Sequence, residues 1–566
     1  MNSSRSYFLA LLLSSLAVAD SWGAPARPTL HTDTLPDGSV ITYRAVGDES
    51  LHYFMTADGR PLVMDNGQLR PTLSTAEAEV VTTAPSRLRK RVASPSRAPQ
   101  SMTTSQYPST GSPRSLVILA DYSDVKFSIP DVKSYFRGLL NTPGFSDWGA
   151  TGSALDYFTD CSAGLFTPQF DLYGIVSLPN PQKYYGENGA DGSDLRAHEM
   201  IIDACDILAS QGFDFSPYDC DNDGYIDNVY LFYAGCGESS GLAKDLNTVW
   251  PHSWDIASAG GETRVYNGKI LSHYACSNEL IKAGYPDGLG TFCHEFSHVI
   301  GLPDLYSTGP TGPVTPDQWS VLDVGCYLND SRTPPVYSAF ERMSLGWMTP
   351  QPITEAGNYL LRPLDTSNHA YLIATDSDNE FFILENRQKQ GWDAYLDGHG
   401  MLVWHIDYDE RIWQSNTVNN VTAHQRVDVV EALPRTSSQK YSQPSDPFPG
   451  TAGVTEFTSQ TNPAFLSWSG ADPGFPLSEI REEDGLIRFR AGTGGDSGIT
   501  GIITDDPQIT ISGAKAINIS GTDLPARVYN LTGTLVYSGT ARTITLPPGI
   551  YIVTVATKTQ KVHIAG

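Results

Sequence analysis

The stretch that most constrains the fold of this chain is HEFSHVIGLPD, from His294 to Asp304. In a helix, His294 and His298 are one turn apart on the same face, so both imidazoles can bind a single cation. Gly301 allows the helix to end and the chain to turn back, and Pro303 keeps the helix from resuming. Asp304 then returns toward the histidines as a candidate third ligand. The segment therefore predicts a buried helix that carries a metal site.

The side chains of this segment favour zinc as the metal. Two imidazoles and one carboxylate are typical zinc ligands, and three protein ligands leave a fourth position open for water. Glu295 lies beside the first histidine, where its carboxylate can act as a general base on that water. Two alternatives stay open. The helix could be a core helix whose histidines only make hydrogen bonds, or the third ligand could be Asp323 or Glu341 in place of Asp304.

Composition and the N-terminus indicate an exported protein. The chain has 566 residues, enough for several domains, and its net charge of −26 disfavours nucleic acid and anionic membranes as partners. Arg5 precedes an apolar run, Phe8 to Ala19, that is too short to span a bilayer and ends in small residues. Residues 1–19 therefore predict a signal peptide and a secreted or cell-surface protein. The alternative is an uncleaved membrane anchor.

Residues 20–112 predict a propeptide. Their first part has short alternating segments separated by Asp-Gly and Asn-Gly turns, which is typical of a small β-rich module. A basic linker rich in serine, proline and threonine follows from Arg87 to Arg114. An exposed linker of this kind is open to proteolysis, so we expect removal of the module at Arg87–Arg91 or further on. The alternative is a permanent accessory domain.

Residues 113–350 alternate strand-like and helix-like patterns. The apolar run from Ser115 to Asp124 is typical of a central strand, and Val229 to Ala234 is a second run of this kind. Residues 193–212 carry apolar side chains at helical spacing. The segment from Lys269 to Leu280 alternates polar and apolar residues shortly before the histidine-bearing helix. We interpret it as an edge strand that pairs with an extended peptide backbone.

An acidic loop, DCDNDGYID, is a candidate calcium site. Carboxylates at alternate positions around a turn-forming glycine match the first half of a calcium loop. Tyr230 stands where an EF-hand needs its bidentate glutamate, so a true EF-hand is excluded. Calcium held together with carboxylates from elsewhere is the second expected cofactor, and a solvated acidic turn is the alternative. The candidate ligands are Asp219, Asp221, Asp223 and Asp227.

The seven cysteines all lie between Cys161 and Cys326. An exported protein can form disulfides, but an odd number leaves at least one thiol unpaired. Cys293 precedes the first histidine and is expected to be a small buried hydrophobe. A catalytic cysteine with a histidine base is the alternative use of these residues.

Three strings make a family resemblance specific: HEFSHVIGLPDLY, WSVLDVG and SAFERMSLGW. Together with LVILADYSD and FFILENRQKQGWDAYLDGHGMLVWHID, they resemble the immune inhibitor A-type family of secreted metallopeptidases, over roughly residues 113 to 490. The resemblance implies an α+β fold with a metzincin-like zinc protease domain that cuts protein and peptide substrates. It also implies that His294 and His298 bind zinc, that Glu295 is the general base and that Asp304 is the third ligand.

Three further residues near the motif concern the reaction. Leu322 stands where related proteins often carry a methionine beneath the metal, and leucine keeps that floor apolar. Tyr306 and Tyr327 are candidates to stabilise the oxyanion of a tetrahedral intermediate. A packing role is the alternative for both tyrosines.

The C-terminal part is predicted to be all-β. Residues 351–491 alternate polar and apolar side chains, as in an accessory domain of strands. His399, His405 and Asp407 are close together there, but hydrogen bonding is favoured over a second metal site. Residues 492–566 follow a glycine-rich boundary and predict a β-sandwich. YNLTGTLVYSG and LPPGIYIVTV resemble sorting domains of type IX secretion, which implies the secretion machinery as a partner. A carbohydrate- or protein-binding sandwich is the alternative.

Taken together, these patterns predict a monomeric, exported zinc endopeptidase. The rival class is a surface adhesin or binding protein on a degenerate protease scaffold, which the intact histidine and glutamate set disfavours. A metal-dependent hydrolase of non-peptide amides would use the same residues.

Overall fold

The computed structural model is a mixed α/β structure with several sheets. It describes residues 22–35, 38–65, 68–82, 107–189, 192–242, 244, 246–309, 315–435 and 442–493, and short stretches between 508 and 564. The predicted signal peptide and most of the basic linker lie outside the described residues. Within the described part, no helix is both long enough and apolar enough to cross a membrane.

The first strands form a five-stranded antiparallel meander whose strand order follows the chain. Its inward side chains pack around Trp250, which belongs to the following part of the chain. The meander is therefore docked against the segment that carries the metal motif. Its elements are β1 (His31–Thr34), β2 (Val40–Gly47), β3 (His52–Thr56), β4 (Pro61–Asp65), β5 (Gln68–Pro71) and the helix α1 (Thr75–Thr82).

A six-stranded sheet forms the centre of the next part, in the order β10-β13-β9-β6-β7, with β14 paired to β13. A small sheet in the order β11-β12-β8 lies beside it. The strands are β6 (Arg114–Asp121), β7 (Gln169–Ser177), β8 (Tyr225–Ile226), β9 (Val229–Cys236), β10 (His252–Asp255), β11 (Arg264–Tyr266), β12 (Lys269–Leu271), β13 (His273–Lys282) and β14 (Tyr285–Pro286). The helices are α2 (Val132–Asn141), α3 (Ala154–Cys161), α4 (Gln182–Tyr185), α5 (Ala197–Ser210), α6 (Leu289–Val299), α7 (Leu328–Ser331) and α8 (Ala339–Ser344).

This sheet is buried on both faces, as expected for strands that run parallel to their neighbours. Along β6, Val117 and Leu119 face the apolar cluster that contains α6. Leu116 and Ile118 face a second cluster on the opposite side, which contains α5. The predicted central strands at β6 and β9 and the predicted helix at α5 are confirmed, with slightly different bounds.

The predicted edge strand is wrong. β13 lies inside the sheet, paired in parallel with β9 on one side and antiparallel with β10 on the other. The alternating pattern suggested an exposed face, but polar side chains such as Ser277 and Asn278 are buried within the sheet. β10 is one edge strand of the sheet and β7 is the other, so a peptide that extends the sheet on the β13 side pairs with β10.

Strands also dominate the C-terminal part, in the sheets β15-β17-β18-β19-β20, β16-β22-β21, β23-β24-β27 and β26-β25-β28-β29. The last two sheets share an apolar core of their own. The elements are β15 (Gln351–Pro352), β16 (Gly357–Leu361), α9 (Leu364–Ser367), β17 (Ala370–Ala374), β18 (Glu380–Arg387), β19 (Gly400–Asp407), α10 (Glu410–Gln414), β20 (Val427–Val430), β21 (Leu477–Glu483), β22 (Leu486–Ala491), β23 (Gln508–Ser512), β24 (Ala516–Ser520), β25 (Ala526–Asn530), β26 (Leu535–Gly539), β27 (Thr543–Thr545), β28 (Gly549–Val555) and β29 (Lys558–Ile564).

Candidate metal centre

Helix α6 holds the candidate metal centre in the middle of the molecule. All of its residues are buried. It packs closely because Gly290 has no side chain: a Cβ there would lie 1.9 Å from the carbonyl oxygen of Cys326. After the helix, Gly301 takes a φ of 99°, a conformation that favours glycine, and the chain turns back toward the helix. This turn brings Asp304 beside the two histidines.

Three ligand atoms converge in this turn. The Nε2 atoms of His294 and His298 are 3.2 Å apart, and Asp304 Oδ1 lies 3.2 Å and 3.3 Å from them. Bonds of about 2.0–2.1 Å at tetrahedral angles place zinc ligand atoms about 3.3 Å from one another. The three atoms therefore have the spacing of three corners of a zinc tetrahedron.

Hydrogen bonds fix the histidine tautomers that a metal requires. The Nδ1 atoms of His294 and His298 contact the carbonyl oxygens of Val321 and Leu302 at 2.8 Å and 2.7 Å. An oxygen acceptor at Nδ1 places the proton there, so each Nε2 carries a lone pair. Burial lowers the pKa of His294, which keeps its imidazole neutral. Two lone pairs and a carboxylate oxygen thus face one another, an arrangement that fits a bound cation.

Asn416 fixes the carboxylate of Asp304. Its Nδ2 donates to Asp304 Oδ2 at 2.6 Å, and its Oδ1 accepts from the Asp304 backbone N–H at 2.8 Å. Asn416 follows helix α10 and is 112 residues from Asp304 in sequence. The pair of bonds leaves Oδ1 of Asp304 free to point at the histidines. Nothing in the local sequence indicates this contact.

Glu295 lies beside the three ligand atoms and contacts the first residues that the structure describes. Its Oε1 accepts a hydrogen bond of 2.9 Å from the backbone N–H of Ala24. Among the described residues, its Oε2 has no hydrogen-bond partner. Burial raises the pKa of Glu295 well above its usual range, which strengthens it as a proton acceptor.

Residues 22–27 form an extended segment that crosses the site. Trp22 exchanges two backbone hydrogen bonds with Ser253 on the edge strand β10, at 3.0 Å and 2.6 Å. Its ring lies edge-on to the imidazole of His298, with 5.3 Å between centroids. Trp22 therefore pairs with β10 as one residue of a bound peptide would, on a strand that the sequence pattern did not indicate.

Two tyrosines hold the carbonyl groups of this segment. The hydroxyl of Tyr306 donates to the carbonyl oxygen of Gly23 at 2.5 Å, and that of Tyr327 donates to Pro25 at 2.6 Å. The Gly23–Ala24 peptide is thus bound at its carbonyl by Tyr306 and at its nitrogen by Glu295. Both tyrosines therefore form hydrogen bonds with this segment in addition to their packing contacts.

The alternative third ligands are engaged elsewhere. Asp323 accepts hydrogen bonds from the backbone N–H groups of Asp317 and Val324. Glu341 caps helix α8. Neither joins the group of His294, His298 and Asp304. Leu322 is fully buried and belongs to the same apolar cluster as α6.

The acidic loop brings its four carboxylates together. One oxygen each of Asp219, Asp221, Asp223 and Asp227 lies within 4.8 Å of the others. Asp219 also forms an ion pair with Lys269. Asp227 is only 3% exposed, its Oδ1 has no partner among the described residues, and burial raises its pKa to about 6.

The residues considered for a second metal site, His399, His405 and Asp407, each have separate partners. His399 contacts Glu482 and His405 contacts Glu380, while the partners of Asp407 are His424 and Arg426. All seven cysteines are free thiols, and Cys293 is buried in the main apolar cluster.

The donor set and the neighbouring glutamate fit the arrangement of a metal-dependent hydrolase site. Residues 133–348 match the family described as immune inhibitor A peptidase M6, catalytic domain. "Immune inhibitor A" of Bacillus thuringiensis subsp. alesti is 26% identical over 254 residues, which is 38% of this chain and 36% of that protein. "Pre-pro-metalloprotease PrtV" of Vibrio cholerae serotype O1 is 27% identical over 224 residues, which is 34% of this chain and 24% of that protein.

These similarities support an M6 peptidase catalytic domain at residues 133–348 of this chain. The matched region covers about a third or less of the length of each relative. The family match at residues 133–348 contains the three candidate ligands and Glu295, but neither Asn416 nor residues 22–27.

Proposed function

We propose that this chain is a zinc-dependent endopeptidase that hydrolyses peptide bonds of proteins. The observation that carries the proposal is the convergence of three acceptor atoms at zinc-ligand spacing beside a buried glutamate. His294 Nε2, His298 Nε2 and Asp304 Oδ1 would hold the ion. When bound, zinc polarises a carbonyl group and lowers the pKa of water.

Two side chains near the ion would transfer the proton and stabilise the developing negative charge. Glu295 takes a proton from the attacking water and later delivers it to the leaving amine. The hydroxyl of Tyr306 donates to the substrate carbonyl oxygen as that oxygen gains negative charge. The contacts of the Gly23–Ala24 peptide support these roles, because its carbonyl meets Tyr306 and its nitrogen meets Glu295.

We further infer that the N-terminal module is an inhibitory propeptide. Trp22 pairs with the edge strand β10, and the backbone N–H of Ala24 donates to Oε1 of Glu295, so residues 22–27 would occupy the substrate path. The module is also attached to the protease part at His52, whose Nε2 lies 3.0 Å from Glu238 Oε1. Residues 20–112 would be removed at Arg87–Arg91 or further on. A signal peptide at 1–19 would direct export.

We also assign roles to the other domains and to a second metal ion. The protease domain would span residues 113–350 and the β-rich accessory domain 351–491. Residues 492–566 would act as a sorting or anchoring sandwich recognised by type IX secretion machinery, supported by their separate core. Calcium would bind the acidic loop, supported by the buried, unpartnered oxygen of Asp227. The protein would act as a monomer outside the cell or on its surface.

The test uses protein freed of the N-terminal module and loaded with zinc. The wild type should cut an unfolded protein, while Glu295→Ala should bind one zinc ion by mass spectrometry and cut nothing. Glu262→Gln, an exposed carboxylate on the same domain, is the control and should cut normally. An inert wild type with bound zinc would favour the adhesin alternative, and a substrate screen would then test non-peptide amides.

A further inference from the structure

Arg27 inserts its side chain into a closed pocket of the protease part. The side chain's Nη2 lies 3.0 Å from Asp287 Oδ1 and donates to Ser331 Oγ at 2.7 Å. The guanidinium stacks over the ring of Tyr327, 4.3 Å from its centroid. Arg27 is 7% exposed and Asp287 is 5% exposed. A buried guanidinium thus meets an anion, a hydroxyl and an aromatic face at once.

The pocket is built without help from Arg27. Asp287 Oδ2 accepts from Thr291 Oγ1 at 2.9 Å and from Asn278 Nδ2 at 3.1 Å. Its Oδ1 accepts from the backbone N–H of Gly288 at 3.0 Å. These donors all come from β13 and the start of α6, so the carboxylate keeps its position when the N-terminal segment leaves. A buried carboxylate without its cation is costly, and the emptied pocket therefore favours a new cation.

The pocket lies along the path of the peptide that crosses the metal centre. The Gly23–Ala24 peptide stands between Tyr306 and Glu295, and Arg27 is the fourth residue after that bond. Three residues of extended chain span at most about 10 Å. The backbone N–H of Arg27 donates to the carbonyl oxygen of Ser239 at 2.9 Å, which holds the main chain at the pocket mouth.

We propose that Asp287, Ser331 and Tyr327 form a substrate subsite for an arginine side chain, four positions after the scissile bond. The inference rests on the proposed peptidase function and on the substrate-like course of residues 22–27. Arginine fits better than lysine because a planar guanidinium stacks on the Tyr327 ring and binds the carboxylate and hydroxyl together. The substrates favoured by this site are proteins with an exposed arginine on the leaving-group side.

The experiment measures which bonds the processed, zinc-loaded enzyme cuts. A peptide mixture from a digested proteome is exposed to it, and the products are identified by mass spectrometry. Arginine should be enriched at the fourth position after the cut. A matched peptide pair made from one strong product then carries arginine or glutamine at that position. The glutamine peptide should have a kcat/KM about tenfold lower, as expected for loss of one buried charged hydrogen bond.

Variants separate a subsite from a simple attachment point. Asp287→Asn should lose the preference for arginine, so that its kcat/KM is the same for the two peptides, whereas Glu262→Gln should keep the preference. Equal cutting of both peptides by the wild type would overturn the subsite and leave the pocket as an attachment point for Arg27 alone. Absence of cutting of any peptide would overturn the peptidase function itself. The peptide comparison uses wild-type enzyme, so it stands even if Asp287→Asn fails to fold.

Discussion

Replacing Asn416 by alanine should weaken zinc binding although Asn416 contributes none of the three candidate ligand atoms. The substitution removes the hydrogen bond of 2.6 Å to the Asp304 carboxylate and the bond of 2.8 Å from its backbone. A hydrogen bond to a charged group contributes about 1.5–3 kcal/mol. Loss of a partner that orients a metal ligand typically lowers metal affinity by about 10- to 100-fold, which agrees with that energy.

The assay is competition between the processed protein and a zinc chelator of known affinity. Asn416→Ala should raise the zinc Kd by about 10- to 100-fold. Asn420→Ala is the matched control, because Asn420 lies in the same loop and contacts Thr308 but not Asp304. Its Kd should equal that of the wild type. A Kd for Asn416→Ala within twofold of the wild type, with the fold intact by circular dichroism, would refute the positioning role.

Three further predictions concern the reaction, the module and the acidic loop. Tyr306→Phe should lower kcat by about 100-fold with little change in KM, because the hydroxyl acts mainly on the developing oxyanion; an unchanged kcat would leave the tyrosine a binding group. Burial lowers the pKa of His52, but pairing with the Glu238 carboxylate has the larger effect and the net pKa is raised. The cleaved module should therefore bind less tightly as the pH rises through this pKa and His52 loses its charge. Gel filtration at several pH values measures release of the cleaved module. In His52→Gln, release should not increase with pH. Calcium should raise Tm for the wild type and much less for Asp227→Asn, and equal shifts would contradict a calcium site there.

The clustering of the three candidate ligands could be predicted from sequence because it depends on local geometry. The helical spacing of His294 and His298 and the turn at Gly301 need only short-range conformational preferences. Asn416 could not be predicted, because its contact with Asp304 joins residues 112 positions apart. The contact of Ala24 with Glu295 spans 271 positions. Such contacts are set by how sheets and helices pack together, and local periodicity contains no information about that.

The position of β13 within the sheet could not be predicted from the sequence either. Alternating polar and apolar residues indicated exposure of one face of β13, yet Ser277, Asn278 and Glu279 are buried and β10 pairs with its edge. The hydrogen bond of Asn278 to Asp287 shows how such a polar residue is satisfied inside the sheet. A pattern of side chains therefore predicted a strand correctly but not its place in the sheet.

The contact between Asn416 and Asp304 has a consequence for the order in which the protein is made. Residues 22–27 are synthesised before the histidine-bearing helix. Asn416 is made more than a hundred residues after Asp304. Asn416 can therefore orient Asp304 only when residues 22–27 are already present. A newly made chain that folds in this order would complete its candidate metal centre only after the segment that crosses it is available.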